Sequence, residues 1–254
     1  MPTSFWGWIV FLIQQYHSSY RQGLVTTLAA SLSGTVLGCC LGFVVGVIQT
    51  IDFQKSRSPI QNVLLAIPWT ICKIYVTIFR GTPMIVQAMV VYYGIAQMFG
   101  VNIPAFRAAI LIITLNSGAY MAETVRGGIR SIDPGQVEGA QALGMRYVPM
   151  MAHIILPQTF RIIAPQIGNT FVANIKDTSV LNVISVTELF YITNVVAGTY
   201  FRMFEAYTIT AAIYLTLTLV FNFLLRLLEN HLAGSSSYEI IPSEQLAPAQ
   251  EPAR

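Results

Sequence analysis

Charge is scarce in this sequence: Asp, Glu, Lys and Arg make up 10% of its 254 residues, against about a quarter in ordinary water-soluble domains. With 54% hydrophobic residues and a mean hydropathy of +0.61, the chain is not built to face water all round and reads as an integral membrane protein. Cysteine is rare too. Cys39, Cys40 and Cys72 lie in apolar runs, with neither metal-ligand spacing nor the pattern of a disulfide framework, and read as small core or lipid-facing residues. The histidines, His17, His153 and His231, are scattered over three segments, which gives no zinc or catalytic cluster. Lysine occurs only at Lys55, Lys73 and Lys176, and no Gly-x-x-x-x-Gly-Lys-Ser/Thr stretch exists, so the chain has no phosphate-binding loop for ATP. No nucleophile and base pairing marks an enzyme. The first residues lack the basic region and small-residue cleavage site of a secretory signal. The net charge of +3 is modest and points to no nucleic-acid partner.

What the chain has is apolar length. Residues 1–23 include an aromatic-rich run from Phe5 to Tyr16, with Trp6 and Trp8, that is short for a span; the expectation is an external interfacial helix. The first clear span is Leu24 to Ile48, longer than the ~20 residues a membrane helix needs. Its Gly34, Gly38, Gly42 and Gly46 repeat every fourth residue and form a stripe that lets another helix approach closely. After the polar loop Asp52–Ser58, with Lys55 and Arg57, the runs Ile60–Phe79 and Met84–Gly100 read either as two spans or as one broken helix. Short basic loops favour the cytoplasmic side. Both the Lys55/Arg57 loop and the segment with Arg126, Arg130, Arg146 and Arg161 are basic, so an even number of crossings separates them. That selects one span, about Ile74–Phe99, preceded by an interfacial approach through Pro59–Lys73. The remaining spans are about Pro104–Glu123, Ile162–Leu189 and Tyr207–Leu228. The fold class is therefore all-α, with five transmembrane helices in one domain of residues 24–232, the N-terminus outside and the C-terminus inside. Residues 233–254 are too poor in apolar side chains to fold alone.

Between the third and fourth spans, about residues 131–158, lies a water-facing stretch. Asp133 can cap a helix that starts at Pro134, Gln136 can complete a capping box, and Gly144 supplies the left-handed residue that stops it. A second short helix, about Tyr147–Leu156, is expected to end at Pro157. Two capped helices with a glycine corner make a rigid knob suited to being gripped.

Charge at bilayer depth costs roughly 2.5 to 3.5 kcal/mol per residue, so Lys176 and Asp177 must face protein or water. Thr170, Asn174 and Asp177 share one helical face, as do Asn116, Tyr120 and Glu123. One reading is a pathway for an amino acid's zwitterionic head, Asp177 attracting its ammonium while Asn116, Ser117 and Thr178 offer hydrogen bonds. The other is structural pairing, with Glu188 or a neighbouring chain. Arg80-Gly81-Thr82-Pro83 is either a hinge or gate beside that pathway or a kink with a snorkelling arginine. Glu123 and Arg126, three residues apart, read as an ion pair.

The knob resembles the cytoplasmic coupling loop of ABC-importer permeases: Glu138, Ala140, Gly144, Ile154, Leu156 and Pro157 fall in that pattern in register, with Gly139 replacing the usual Ala. Arg80-Gly81-Thr82-Pro83, Asn116-Ser117-Gly118-Ala119-Tyr120, Glu123-Thr124-Val125-Arg126-Gly127-Gly128-Ile129 and Lys176-Asp177-Thr178-Ser179 resemble the polar amino acid branch, of the histidine, glutamine, arginine and cystine type. The resemblance covers about Gly23 to Leu232. It implies a type I importer permease of a bacterial inner membrane, moving polar amino acids. Its implied partners are a second permease chain, identical or paralogous, an extracytoplasmic binding protein, and cytoplasmic ATPases that bind ATP-Mg and clasp Glu138, Gly139, Ala140, Ala142, Leu143 and Gly144. It also sets Asn116, Ser117, Asn174, Asp177, Thr178 and Ser179 near the translocation path. The rival is an ion-coupled secondary transporter using Lys176, Asp177 and Glu123, which predicts an inverted repeat that the sequence does not show.

Overall fold

The glycine stripe decides how the bundle is assembled. In the computed structural model, which describes residues 2–51 and 59–233, the first helix α1 (Phe5–Gln49) lies against α4 (Ala105–Arg130) along that stripe. A Cβ on Gly38 would stand 2.9 Å from Ser117 Cβ, on Gly42 2.5 Å from Met121 Cβ, and on Gly46 2.7 Å from the Ala122 carbonyl oxygen. Only glycine admits this approach. Residue numbers rise together along the seam, so α1 and α4 are parallel and end at the same face of the bundle. Gly42→Leu is expected to force the pair apart at a cost on the order of 3 kcal/mol, seen as a lower melting temperature and aggregation of the detergent-solubilised chain.

Because α1 and α4 are parallel, the intervening chain must cross back once. It does so as α2 (Pro59–Gly81) and α3 (Met84–Phe99), joined at Thr82-Pro83 with a bend of 117°. The single expected span is thus one net crossing made of two helices; α2 is helical from Pro59 onward. The loop with Lys55 and Arg57 and the tail beyond Ala233 lie outside the described residues.

α4 leads into the knob: α5 (Pro134–Ala142), then α6 (Tyr147–Met150), a π-helical segment (Met151–Ile155) and α7 (Leu156–Asp177). Pro157 does not end a helix as expected. A proline cannot donate to the carbonyl four residues back and crowds it, and the chain answers by widening into a π turn in which the Leu156 amide bonds the Met151 carbonyl. The side chains of Gln158 and Thr159 then donate to the carbonyls of Ile154 and Ile155, at 2.8 and 2.9 Å. The helix continues through a 3₁₀ segment (Thr178–Ile184) to α8 (Leu189–Tyr200), bent by 56°, and returns in α9 (Met203–Ala233). α7 runs antiparallel to α4, with Asn174 beside Ser117 and Ile163 beside Gly128. Among the described residues three helices are long and apolar enough to cross a membrane by length and composition, and counting each of the two bent pairs as one span gives five.

The N-terminal segment differs from expectation. It is no separate interfacial helix: α1 is continuous over 45 residues, about 68 Å at 1.5 Å per residue, more than twice a hydrocarbon core of about 30 Å. No proline interrupts residues 3–58, and the first half is held by packing, with Trp8, Leu12 and Tyr20 buried against Leu189, Val196, Ala206 and Ile209 of α8 and α9. Arg202 stacks over the Trp8 ring at 4.7 Å.

Candidate functional site

The knob is built from its caps inward. Asp133 accepts a hydrogen bond from the Gly135 amide at 2.7 Å, and Pro134 opens the helix. Gln136 does not complete a capping box; its side-chain oxygen instead faces the Gln158 amide at 3.5 Å across the knob. Gly144 has φ +74°, and two bonds close the turn: Met145 amide to Ala140 carbonyl at 3.1 Å and Gly144 amide to Gln141 carbonyl at 2.9 Å. This is the paired pattern of a Schellman stop. Beneath it Ala140 packs with Ile132, Met150, Met151 and Ile155. Ala140 is therefore buried in the knob's own core and cannot be a gripped surface. Glu138, Gly139, Ala142, Leu143 and Gly144 do face outward. Leu143 is 82% exposed, and two residues not anticipated from sequence, Tyr147 and Val148 just beyond the glycine corner, are exposed as well. α4 enters the knob and α7 leaves it, so the knob is covalently continuous with the two central helices.

The second feature is the corner between α2 and α3. Pro83 cannot donate a backbone hydrogen bond, and the break frees carbonyls at the end of α2. Gln87, 5% exposed, supplies the missing donor: its amide nitrogen reaches the Phe79 carbonyl at 2.8 Å and the Thr82 carbonyl and hydroxyl at 2.9 Å. Its oxygen accepts from Asn116 of α4 at 2.9 Å. Arg80 reaches Glu123 at 3.2 Å and lies over the Tyr120 ring at 5.6 Å. Arg126 holds the same Glu123 carboxylate through both oxygens, at 2.7 and 3.0 Å. The expected polar face of Asn116, Tyr120 and Glu123 thus exists, and the Arg80–Pro83 corner is docked on it.

The residues expected to line a pathway are not gathered in one place. Ser117 and Asn174 are buried between helices: the Asn174 amide donates to Ser117 Oγ at 2.8 Å and to Thr35 Oγ1 of α1 at 2.7 Å. These three side chains pin α1, α4 and α7 together. Thr178 is buried and bonds the Ile175 carbonyl, while Asp177 is on the surface and Ser179 bonds the Lys176 carbonyl. Asn174 and Asp177 therefore do not act from one exposed face. Glu188 pairs with neither Lys176 nor Asp177: it is buried, caps α8 by accepting from the Phe190 and Tyr191 amides at 2.7 and 2.6 Å, and accepts from Tyr214 at 3.0 Å. Glu123 lies nine residues along the bundle from the level of Asp177, about 14 Å, so the charges of the ion-coupled alternative are apart.

A five-crossing α-helical bundle whose central helices pass through a rigid, apolar-tipped knob is the architecture of a transporter's membrane subunit. Residues 67–234 match the binding-protein-dependent transport system inner membrane component family. The arginine transport system permease protein ArtQ of Bacillus subtilis (strain 168) is 33% identical over 84% of this chain and 92% of its own length. The glutamine transport system permease protein GlnP of Escherichia coli (strain K12) is 33% identical over 83% and 91%. A crystal structure of an amino acid ABC transporter with histidines superimposes with a TM-score of 0.77 at 33% identity, covering 91% of this chain and all of that one. The fold alone is shared with a chain of the MetNI methionine ABC transporter, at TM-score 0.70 and 18% identity, covering 86% of this chain and 98% of that one. The chain belongs to this family of inner-membrane transport components and is a permease subunit of an ABC importer.

Proposed function

We propose that this permease imports polar amino acids and is driven by separate ATPase subunits that grip its knob. The observation that carries the reading is the exposed apolar tip, Leu143 with Val148, standing on a scaffold capped at both ends and continuous with α4 and α7. Exposed apolar clusters of this kind mark protein interfaces, and this one is joined to the helices that would have to move. In this reading ATP-Mg is bound by the ATPase partner. In this scheme nucleotide binding draws two ATPases together, rocks two permease chains, identical or paralogous, toward an outward-open state, and lets an extracytoplasmic binding protein deliver substrate before inward release. The N-terminus lies outside and the C-terminus inside, which puts the knob on the cytoplasmic face with Arg126, Arg130, Arg146 and Arg161. The names of the 33%-identical relatives, which specify arginine and glutamine, support polar amino acids as the cargo.

Leu143→Asp tests the reading directly. With the knob's ATPase contact weakened, the purified chain is expected to lose co-purifying ATPase and to lose uptake of labelled arginine or glutamine in vesicles by about tenfold or more, the scale of an interface hot spot. Retained ATPase and unchanged uptake would overturn the role of the knob. Uptake by the isolated chain without nucleotide would overturn the importer mechanism altogether.

A further inference from the structure

A groove of about 760 Å³ lies between the first half of α1 and the first half of α9, at the end of the bundle remote from the knob. That is within the roughly 300–1,000 Å³ of sites that hold small molecules. Its walls are apolar: Ile9 and Ile13 on α1, Ile213 and Leu217 on α9, with Leu24 nearer the middle of the bundle. Two basic side chains interrupt this lining, His17 and Arg21. Four residues apart, they stand on the same face of α1.

Neither has an acidic partner among the described residues. Glu205 of α9 is paired with Arg202 at 3.4 Å, and both Glu188 oxygens serve the α8 cap and Tyr214. His17 Nδ1 lies 3.0 Å from the Gln14 carbonyl, which leaves Nε2 without a hydrogen bond among the described residues. An apolar slot with an unpaired guanidinium and an imidazole at its edge, on a protein surrounded by lipid, matches an amphiphile with an anionic head. Guanidinium groups bind phosphate oxygens through paired, charge-assisted hydrogen bonds. We propose that this groove holds one anionic phospholipid, its phosphate against Arg21 and His17 and an acyl chain along Leu24, Ile213 and Leu217. The site is separate from the knob and from the α2–α3 corner.

The full-length permease, purified in detergent and mixed with equal amounts of phosphatidylglycerol and phosphatidylcholine, is read by native mass spectrometry. Wild type is expected to retain phosphatidylglycerol in preference. Arg21→Gln should reduce that preference about fivefold, the scale of one basic residue at an anionic membrane surface, and Arg21→Lys should largely keep it. Ala212→Phe, which fills the groove from α9, should lower retention of both lipids. Equal preference in wild type and Arg21→Gln overturns the proposal. So does a photo-crosslinking amino acid at position 213 that captures a second protein chain, rather than lipid, in native membranes.

Discussion

Uptake is expected to fall at least about tenfold in Gly144→Val while the chain still inserts and folds, a loss within the usual range for a coupling free energy between two sites. Gly144 sits at φ +74°, a region that costs a non-glycine residue roughly 1–3 kcal/mol and a β-branched one most of all. A Cβ there meets no atom within 4 Å, so the strain comes from the backbone conformation and not from a collision of the added Cβ. What it undoes is the pair of bonds that ends α5, and with them the angle at which Leu143 is presented. Folding should therefore survive where coupling does not. Asn tolerates the left-handed region, and Gly144→Asn is expected to keep most of the transport. Measurements of membrane insertion, melting temperature and substrate-stimulated ATP hydrolysis in the reconstituted complex separate the two effects. Normal stimulated hydrolysis in Gly144→Val would show that the shape of the corner is immaterial.

A second large effect is expected at Gln87, and there stability and transport should fall together. Gln87→Leu removes the donor from the Phe79 and Thr82 carbonyls and leaves the Asn116 amide without its acceptor. Each polar group orphaned away from water costs roughly 1–3 kcal/mol, so a combined loss of at least about 3 kcal/mol is expected, enough to lower the melting temperature by several degrees. Gln87→Glu keeps an acceptor for Asn116 but turns a buried carboxylate oxygen toward the two carbonyls, and should cost at least as much as Gln87→Leu. A double-mutant cycle of Gln87→Leu with Asn116→Leu isolates the Asn116 contact. Strict additivity would mean that the corner and α4 are not joined through it.

Much of the fold could be read from the chain, because glycine and proline impose backbone demands that no context removes. The four-residue glycine spacing identified a helix-facing stripe, Gly144 a left-handed stop, and the basic loops an even number of crossings, which the parallel seam of α1 and α4 requires as well. Pro157 was misleading for a local reason: a π turn with side-chain donors from Gln158 and Thr159 can absorb a proline without ending the helix. The continuity of α1 through Gln14–Arg21 was also hidden, since polarity suggested a boundary where packing against α8 and α9 supplies none. Side-chain partners were the least legible. Asn174 and Ser117 looked available for substrate because nothing in the sequence shows Thr35, 139 residues away, as their third member. Gln87 did carry a readable signal: of the two glutamines in this otherwise apolar run it is the one that lies one turn after a proline break, where freed carbonyls need a donor.

The parallel seam has a consequence for synthesis. While the ribosome is still making α2 and α3, the glycine flank of α1 has no mate, since Ile113, Ser117 and Met121 do not yet exist. The nascent first helix must wait in lipid through one complete return trip of the polypeptide before its groove is filled. A product cut short before about residue 113 would keep that narrow flank uncovered and available to the wrong helix.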